Sequence, residues 1–209
     1  MSSAMDKSEQ QIRQHLGDFI PEDLGVSLNQ VNGISAFQLS DAAVTATVTL
    51  GYPCDSIRDA LIDAIHAHMA PVLEQRSLSV TVESRIVPHR AQSSLPARDQ
   101  VANIIAVASG KGGVGKSTSA ANLALALQAE GARVGLLDAD VFGPSQPLML
   151  GLPDGTRPQV LEGKFFVPVD AYGLQTMSMG YLTTKHVHSS HLLAHPTRLH
   201  LLCRLLPER

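Results

Sequence analysis

Hydrophobic residues near the start of the chain first recur at helical spacing and then switch to strand spacing. Ile12, Leu16 and Phe19 predict a short first helix, which residues 21–25 end because they contain proline and glycine. Residues 31–50 hold two runs in which apolar and β-branched residues alternate with small polar ones. This alternation predicts a β-hairpin with one buried face.

A second helix and a third strand complete this first region. The helix is predicted from apolar residues about four positions apart, namely Ile57, Leu61, Ile65, Met69 and Leu73. Asp55 and Ser56 precede the run and are predicted to cap the helix. Residues 78–87 alternate again as a strand. The order of helix, two strands, helix and strand predicts a small α+β domain over residues 1–88.

A change of pattern after this region predicts a second domain. Residues 89–100 are mostly polar, contain a proline and have the composition of an exposed linker. The continuous apolar run at residues 104–108 then predicts a strand buried on both faces of a parallel sheet. A helix from about residue 117 to 130 and a second apolar run at residues 134–137 follow. Together they predict a βαβ unit.

Composition and charge narrow the classes of protein that fit this pattern. With 209 residues, of which 44% are hydrophobic, the chain can bury a core. A net charge of −3, with 16 basic residues spread along the sequence, argues against binding to nucleic acid or to a membrane surface. The sequence holds no signal-peptide apolar region and no run of 18 apolar residues, and Cys54 and Cys203 define no disulfide framework. These features predict a cytoplasmic protein.

The loop between the predicted strand and helix of the βαβ unit carries a phosphate-binding motif. Residues 110–117 match G-x-x-x-x-G-K-[ST], in which glycines let the backbone amides turn toward phosphate oxygens. Lys116 is predicted to reach the β- and γ-phosphates of ATP or a related nucleotide, and Ser117 to bind magnesium. A chance glycine-rich turn is the alternative, but the flanking elements favour the motif. The predicted nucleotide-binding residues are Gly110, Lys111, Gly112, Gly113, Val114, Gly115, Lys116, Ser117 and Thr118.

Two aspartates after the second apolar run are candidates for chemistry at the same site. Asp138 and Asp140 follow the strand at its carboxyl end, where ligands of open α/β sheets bind. A carboxylate there can hold magnesium or orient an attacking water. Asp138 could instead cap the turn, so Asp140 is predicted as the magnesium ligand beside Ser117. The predicted catalytic residues are Lys111, Lys116 and Asp140, although Lys111 could also be a solvated loop lysine.

The motifs resemble those of one family. Residues 110–118, GKGGVGKST, resemble the deviant Walker A loop of the MinD/NifH-like ATPases. Residues 138–151, DADVFGPSQPLMLG, narrow the resemblance to the Mrp/ApbC family of ATP-binding iron-sulfur cluster carriers, and it covers residues 5 to about 183. The resemblance implies a homodimeric ATPase that binds ATP and Mg²⁺ and transfers clusters to apo-proteins, with Lys111 reaching the partner's nucleotide.

The implied fold class is α/β, in which the small α+β domain precedes the first part of a P-loop NTPase parallel sheet with flanking helices. Some relatives of the small domain have a functional cysteine after the second strand, and Cys54 falls there. A partly buried, inert thiol is the alternative for Cys54.

The sequence departs from the family after about residue 184. The D-x-P-P-G motif of switch II and the C-x-x-C pair that ligates a bridging cluster have no counterpart, so no iron-sulfur ligands are predicted in this chain and ATP hydrolysis by it is left open. Residues 185–209 hold five of the nine histidines and seven leucines, which does not resemble family sequence. We therefore expect a partial P-loop domain over residues 101–184, followed by a frame-shifted tail. Such a partial sheet would have an unpaired edge and fold poorly.

Three alternatives stay open. His191, His195 and Cys203 could form a metal site in the tail, although Pro196 argues against one continuous helix there. A MinD/ParA-type positioning ATPase shares the deviant loop. A non-enzymatic module that docks onto client proteins through residues 1–88 is the third alternative.

Overall fold

The structure, a computed structural model, describes residues 2–88, 101–140, 143–182 and 201–206. The chain divides into two compact units, Met1–Ile86 and Val87–Arg209. The predicted linker at residues 89–100 lies outside the described residues.

The first unit has a three-stranded sheet and two helices. Its elements are α1 (Ser2–Gly17), β1 (Ile34–Leu39), β2 (Ala43–Leu50), a 3₁₀ turn (Asp55–Ile57), α2 (Arg58–Leu73) and β3 (Ser77–Ser84). The strands lie in the order β1-β2-β3, with β1 antiparallel and β3 parallel to β2. This order of elements is the one that the hydrophobic pattern predicts.

The core of the first unit lies between one face of the sheet and the two helices. Strand β2 buries every second residue, which confirms the predicted one-sided hairpin. Helix α1 contributes two buried residues, Ile12 and Leu16. Helix α2 contributes four, spaced four positions apart as predicted, namely Leu61, Ile65, Met69 and Leu73. Burying a large aliphatic side chain contributes about 1.5–3 kcal/mol, so each of these residues stabilises the packing of its helix on the sheet.

Two local predictions in the first unit are wrong. Helix α1 ends at Gly17 and not beyond Phe19, because the chain folds back and the Asn29 amide donates to the Gly17 carbonyl at 2.8 Å. Neither Asp55 nor Ser56 caps α2, since the 3₁₀ turn precedes the helix and its cap position makes no side-chain hydrogen bond.

The second unit has a five-stranded sheet and a separate hairpin. Its elements are β4 (Asn103–Val107), α3 (Lys116–Ala129), β5 (Arg133–Asp138), α4 (Gln146–Met149), β6 (Val160–Leu161), β7 (Phe165–Phe166), β8 (Val169–Ala171), β9 (Leu174–Ser178), a 3₁₀ turn (Met179–Tyr181) and β10 (Leu201–Leu206). The sheet has the order β4-β10-β5-β9-β8, and β6 pairs with β7 alone. None of the helices in the described residues is long and apolar enough to cross a membrane.

Strand β4 is buried less than predicted. Ile104 is 50% exposed, whereas Ile105 and Val107 pack against the core cluster. Helix α3 contacts β4, but the face that carries Ile104 stays open in the described part of the chain. The prediction of two buried faces is therefore wrong for β4. Strand β5 likewise buries one face, with Val134, Leu136 and Asp138, while Leu137 on the other face is 38% exposed.

Strand β10 separates the two strands of the predicted βαβ unit. It pairs antiparallel with both β4 and β5, so those two strands run parallel to each other. The pattern of the tail did not predict a strand there. Because β4 and β5 are parallel, the loop after β4 and the turn after β5 lie at the same edge of the sheet. This edge carries the predicted site.

Candidate nucleotide-binding site

The glycine-rich loop joins β4 to α3, which begins at Lys116. Gly113 and Gly115 have φ angles of +72° and +85°, a left-handed conformation that L side chains rarely adopt. Gly115 is also the N-cap residue of α3. An added Cβ at Gly110 or Gly112 would meet no heavy atom within 4 Å, so the space over the loop is open.

Successive backbone amides of the loop have no hydrogen-bond acceptor among the described residues. The Lys111 amide donates to the Ser109 hydroxyl at 3.1 Å, and the Ser119 amide donates to the Gly115 carbonyl at 2.8 Å. Between them, the amides of residues 112–117 make no hydrogen bond to any residue that the structure describes. Unpaired N–H groups at a helix start carry partial positive charge, so this segment can bind an anion.

The side chains of the loop add cations and hydroxyls. Lys111 and Thr118 are exposed, while Lys116 and Ser117 are half-buried. Neither lysine forms an ion pair with a carboxylate of the described residues. Both ammonium groups are therefore available to an anionic ligand.

Asp138 is a buried carboxylate that organises the turn after β5. Its side chain is 1% exposed. One oxygen accepts from the Asp140 amide at 3.0 Å, and the other accepts from the amides of Ser145 and Gln146 and from the Ser178 hydroxyl at 3.1–3.2 Å. A buried charge needs donors of this kind. These contacts give Asp138 the capping role that the sequence left as an alternative.

Asp140 lies two residues further along the same turn. It is half-buried, and its Oδ1 accepts from the Gly143 amide at 3.0 Å. Its position at the carboxyl end of β5 places it on the sheet edge that carries the glycine-rich loop. The role of Asp140 as a magnesium ligand stays a prediction.

The sequence reasoning missed Gln146, which connects the turn to the loop. Gln146 is the first residue of α4 and is 1% exposed. Its Nε2 donates to the Ser117 carbonyl at 2.9 Å. Its Oε1 is buried without a hydrogen-bond partner among the described residues. A polar residue directly before the apolar stretch P-L-M-L was the available signal.

Tyr181 packs beside this edge of the sheet. It is 1% exposed, and its hydroxyl is 2.7 Å from the Thr176 hydroxyl. Burial raises the pKa of Tyr181 above its ordinary value, and the charge of Asp138 raises it further, whereas the hydrogen bond with Thr176 lowers it. Deprotonation of Tyr181 is therefore unfavourable in the folded unit.

The two cysteines lie in different settings. Cys54 is fully buried in the core of the first unit, which fits the inert thiol that the sequence left as an alternative. Burial also raises the pKa of the neighbouring Tyr52 hydroxyl. Cys203 lies in β10, while His191 and His195 fall outside the described residues. No group of three His, Cys, Asp or Glu residues within the described ranges could hold a metal ion.

Comparisons with known proteins agree with this geometry. Residues 100–198 match the family model described as ParA, NUBPL iron-transfer P-loop NTPase. An iron-sulfur cluster carrier protein of Pseudomonas fragi is 59% identical over 107 residues, which are 51% of this chain and 37% of that protein. A protein of the same name from Salmonella typhimurium is 37% identical over 169 residues, which are 81% of this chain and 46% of that protein.

The loop, the strand order and these matches define a P-loop NTPase domain with an α/β fold. Within that class, the chain is similar to iron-sulfur cluster carrier proteins, the family that the motifs at residues 110–118 and 138–151 resemble. It spans less than half the length of the curated relatives compared above. The family match reaches past residue 184, so the predicted end of the P-loop domain stays a prediction.

One solved structure is similar to part of the chain. It is the crystal structure of a domain of unknown function, DUF59, from Bacillus anthracis, with 12% identity and a TM-score of 0.35 over 39% of this chain and 79% of that chain. A similarity of this size carries no argument about the fold.

Proposed function

We propose that the chain binds ATP with magnesium through residues 110–118. The proposal rests on the backbone amides of residues 112–117, directly before and within the first turn of α3, which make no hydrogen bond in the part of the chain that the structure describes. In this proposal the amides surround the phosphate oxygens, Lys116 contacts the β- and γ-phosphates, and Ser117 and Asp140 bind the magnesium ion.

Charge supports a polyphosphate as the ligand. Lys111 and Lys116 have no carboxylate partner among the described residues, so their charges are not already offset. The start of α3 adds the partial positive charge of its unpaired amides. A triphosphate with bound magnesium would match this number of cations and donors better than a single carboxylate.

The cellular role belongs to the same proposal. Relatives that match the chain are named iron-sulfur cluster carrier proteins, so we propose that this chain serves cluster transfer to apo-proteins in the cytoplasm. Two copies would pair, with Lys111 of one copy reaching the nucleotide of the other, whereas hydrolysis by this chain stays open because it has no counterpart of the switch II motif. Exposure of Lys111 on the loop is compatible with contact across such an interface.

Isothermal titration with MgATP tests the binding proposal. Lys116→Ala should weaken binding by at least about tenfold, because it removes a charge-assisted contact to phosphate. Lys164→Ala, which removes an exposed lysine between β6 and β7, is the matched control and should bind like the unchanged chain. Equal affinities for the two variants, or no binding by the unchanged chain, would contradict the proposal.

Sedimentation velocity tests the pairing of two copies. MgATP should shift the unchanged chain to a dimer, and Lys111→Ala should bind MgATP but remain monomeric. A Lys111→Ala chain that dimerises as well as the unchanged chain would reject the role given to Lys111.

A further inference from the structure

Gln146 makes a contact that packing alone does not explain. Its side chain is buried next to the first turn of α3, where Nε2 donates to the Ser117 carbonyl at 2.9 Å. A carbonyl oxygen only accepts, so the nitrogen of the amide must face Ser117. The other end of the amide, Oε1, is then left without a partner in the described part of the chain.

An unpaired buried acceptor is unfavourable. A leucine at position 146 would fill a similar volume without that unfavourable group. The presence of an amide at position 146 is therefore explained by the hydrogen bond that its N–H group donates to the Ser117 carbonyl.

The backbone beneath Gln146 is held by the carboxylate of Asp138. The Gln146 amide donates to Asp138 at 3.2 Å, and the Asp140 amide donates to the other oxygen of the same carboxylate at 3.0 Å. A continuous set of hydrogen bonds therefore runs from Asp140 through Asp138 and Gln146 to Ser117. The two residues at its ends are the two proposed magnesium ligands.

We propose that Gln146 is a positioning residue that fixes Ser117 relative to Asp140, and thereby sets the magnesium-dependent part of nucleotide binding. The inference rests on the proposed function, because it concerns the same site. Gln146 contacts neither phosphate nor metal in this account. It acts by holding Ser117, the proposed magnesium ligand in the first turn of α3, through the Ser117 carbonyl.

Amide hydrogen exchange without nucleotide tests the structural half of the inference. Gln146→Leu should raise the exchange rate of the Ser119 amide by about threefold or more, since the first turn of α3 loses an anchoring bond. The Glu130 amide at the other end of α3 should exchange at its original rate. Unchanged exchange at Ser119 would overturn the inference, and this result does not depend on ATP binding.

Binding with and without magnesium tests the functional half. For Gln146→Leu, the affinity for MgATP should fall by about fivefold or more, while the affinity for ATP in EDTA should change by less than about twofold. Gln175→Leu, an exposed glutamine in β9, is the matched control and should keep both affinities. Equal losses with and without magnesium would overturn the positioning role.

The conservative variant Gln146→Glu separates the donor from side-chain size. It keeps the length of the side chain but presents oxygen, not N–H, to the Ser117 carbonyl, so it should behave like Gln146→Leu. Wild-type exchange and affinity in Gln146→Glu would overturn the inference. Failure of the unchanged chain to bind ATP would instead refute the proposed function, and the exchange experiment would still decide the contact.

Discussion

The two units of the chain are organised by different kinds of buried group. In the first unit the core consists mainly of large apolar side chains from both helices and the sheet, together with Cys54 and one alanine, Ala46. The core cluster of the second unit is smaller and includes three alanines, Ala120, Ala124 and Ala171. Every buried polar residue found in the described ranges belongs to the second unit, namely Asp138, Gln146, Thr176 and Ser178.

This difference separates folding from the positioning of a site. A hydrophobic core is tolerant of small shifts, because burial depends on area and not on direction. Hydrogen bonds to a buried carboxylate depend on distance and angle, and so they fix the turn after β5 relative to α3. The stability of the first unit should therefore depend mainly on its buried apolar side chains, and that of the second unit on its buried polar groups.

The largest effect is expected from Asp138→Ala. This change removes the acceptor for four hydrogen-bond donors and should lower the free energy of unfolding of the second unit by about 4 kcal/mol or more. Asp154→Ala, at an exposed position in the same unit, is the control and should have little effect. Urea unfolding followed by hydrogen exchange would resolve the two units. A small effect of Asp138→Ala would show that the polar network does not stabilise the turn.

Leu16→Ala is the corresponding test in the first unit. Leu16 is fully buried, so its truncation should cost about 3 kcal/mol through lost burial and a residual cavity. Leu148→Ala removes the same atoms from a side chain that is 81% exposed and should cost less than about 0.5 kcal/mol. Similar losses in both variants would contradict the described burial. Each change should affect only its own unit.

In the glycine-rich loop, the effect of a Gly→Ala substitution on stability should depend on the backbone conformation at that position more than on the added volume. Gly115→Ala places a side chain at a φ of +85° and should lower the free energy of unfolding of the second unit by about 1–2 kcal/mol. Gly110→Ala adds the same methyl group where φ is not in the left-handed region and where no atom lies within 4 Å. Thermal unfolding of the two variants measures the difference. Equal melting temperatures would contradict the backbone geometry of the loop.

Tyr181→Phe should have the smallest effect on the free energy of unfolding, and the size of this effect depends on pH. At neutral pH the lost hydrogen bond to Thr176 should cost about 1 kcal/mol. Because the pKa of folded Tyr181 is raised above 10.0, its stabilising contribution is complete below pH 10.0 and is lost as the pH rises through the folded pKa.

The phenylalanine variant should therefore lose less stability than the unchanged chain as the pH rises above 10.0 and through the folded pKa of Tyr181. Tyr172→Phe, at a side chain that is 69% exposed, is the control and should match the unchanged chain at neutral pH. Urea titrations at neutral and alkaline pH measure both effects. An identical loss of stability at alkaline pH in Tyr181→Phe and the unchanged chain would show that Tyr181 is not the responsible group.

The sequence predicted what depends on local pattern. The spacing of apolar residues predicted the order of helices and strands in the first unit. The spacing of glycines predicted the loop before α3. The backbone at Gly113 and Gly115 has the conformation for which glycine is needed. Such features follow from neighbouring residues, so one sequence is enough to recognise them.

Features that depend on distant parts of the chain were not predicted. The position of β10 between β4 and β5 depends on a pairing between segments that are far apart in sequence. The exposure of Ile104 depends on which face of β4 is covered. The contact of Gln146 with Ser117 joins residues 29 positions apart and leaves no periodic signal. The capping role of Asp138 likewise could not be read from the sequence, because it depends on hydrogen bonds with residues as far along the chain as Ser178.

In the proposed function, the phosphates of ATP bind to the amides of residues 112–117, which have no acceptor within the described ranges. Two-dimensional amide NMR of the labelled chain, recorded with and without MgATP, tests this most directly. We expect the largest chemical-shift changes upon saturation with MgATP at the amides of residues 112–117, and no change in the resonances of the first-unit core. Saturation with no shift in that segment, or shifts concentrated elsewhere in the chain, would contradict it.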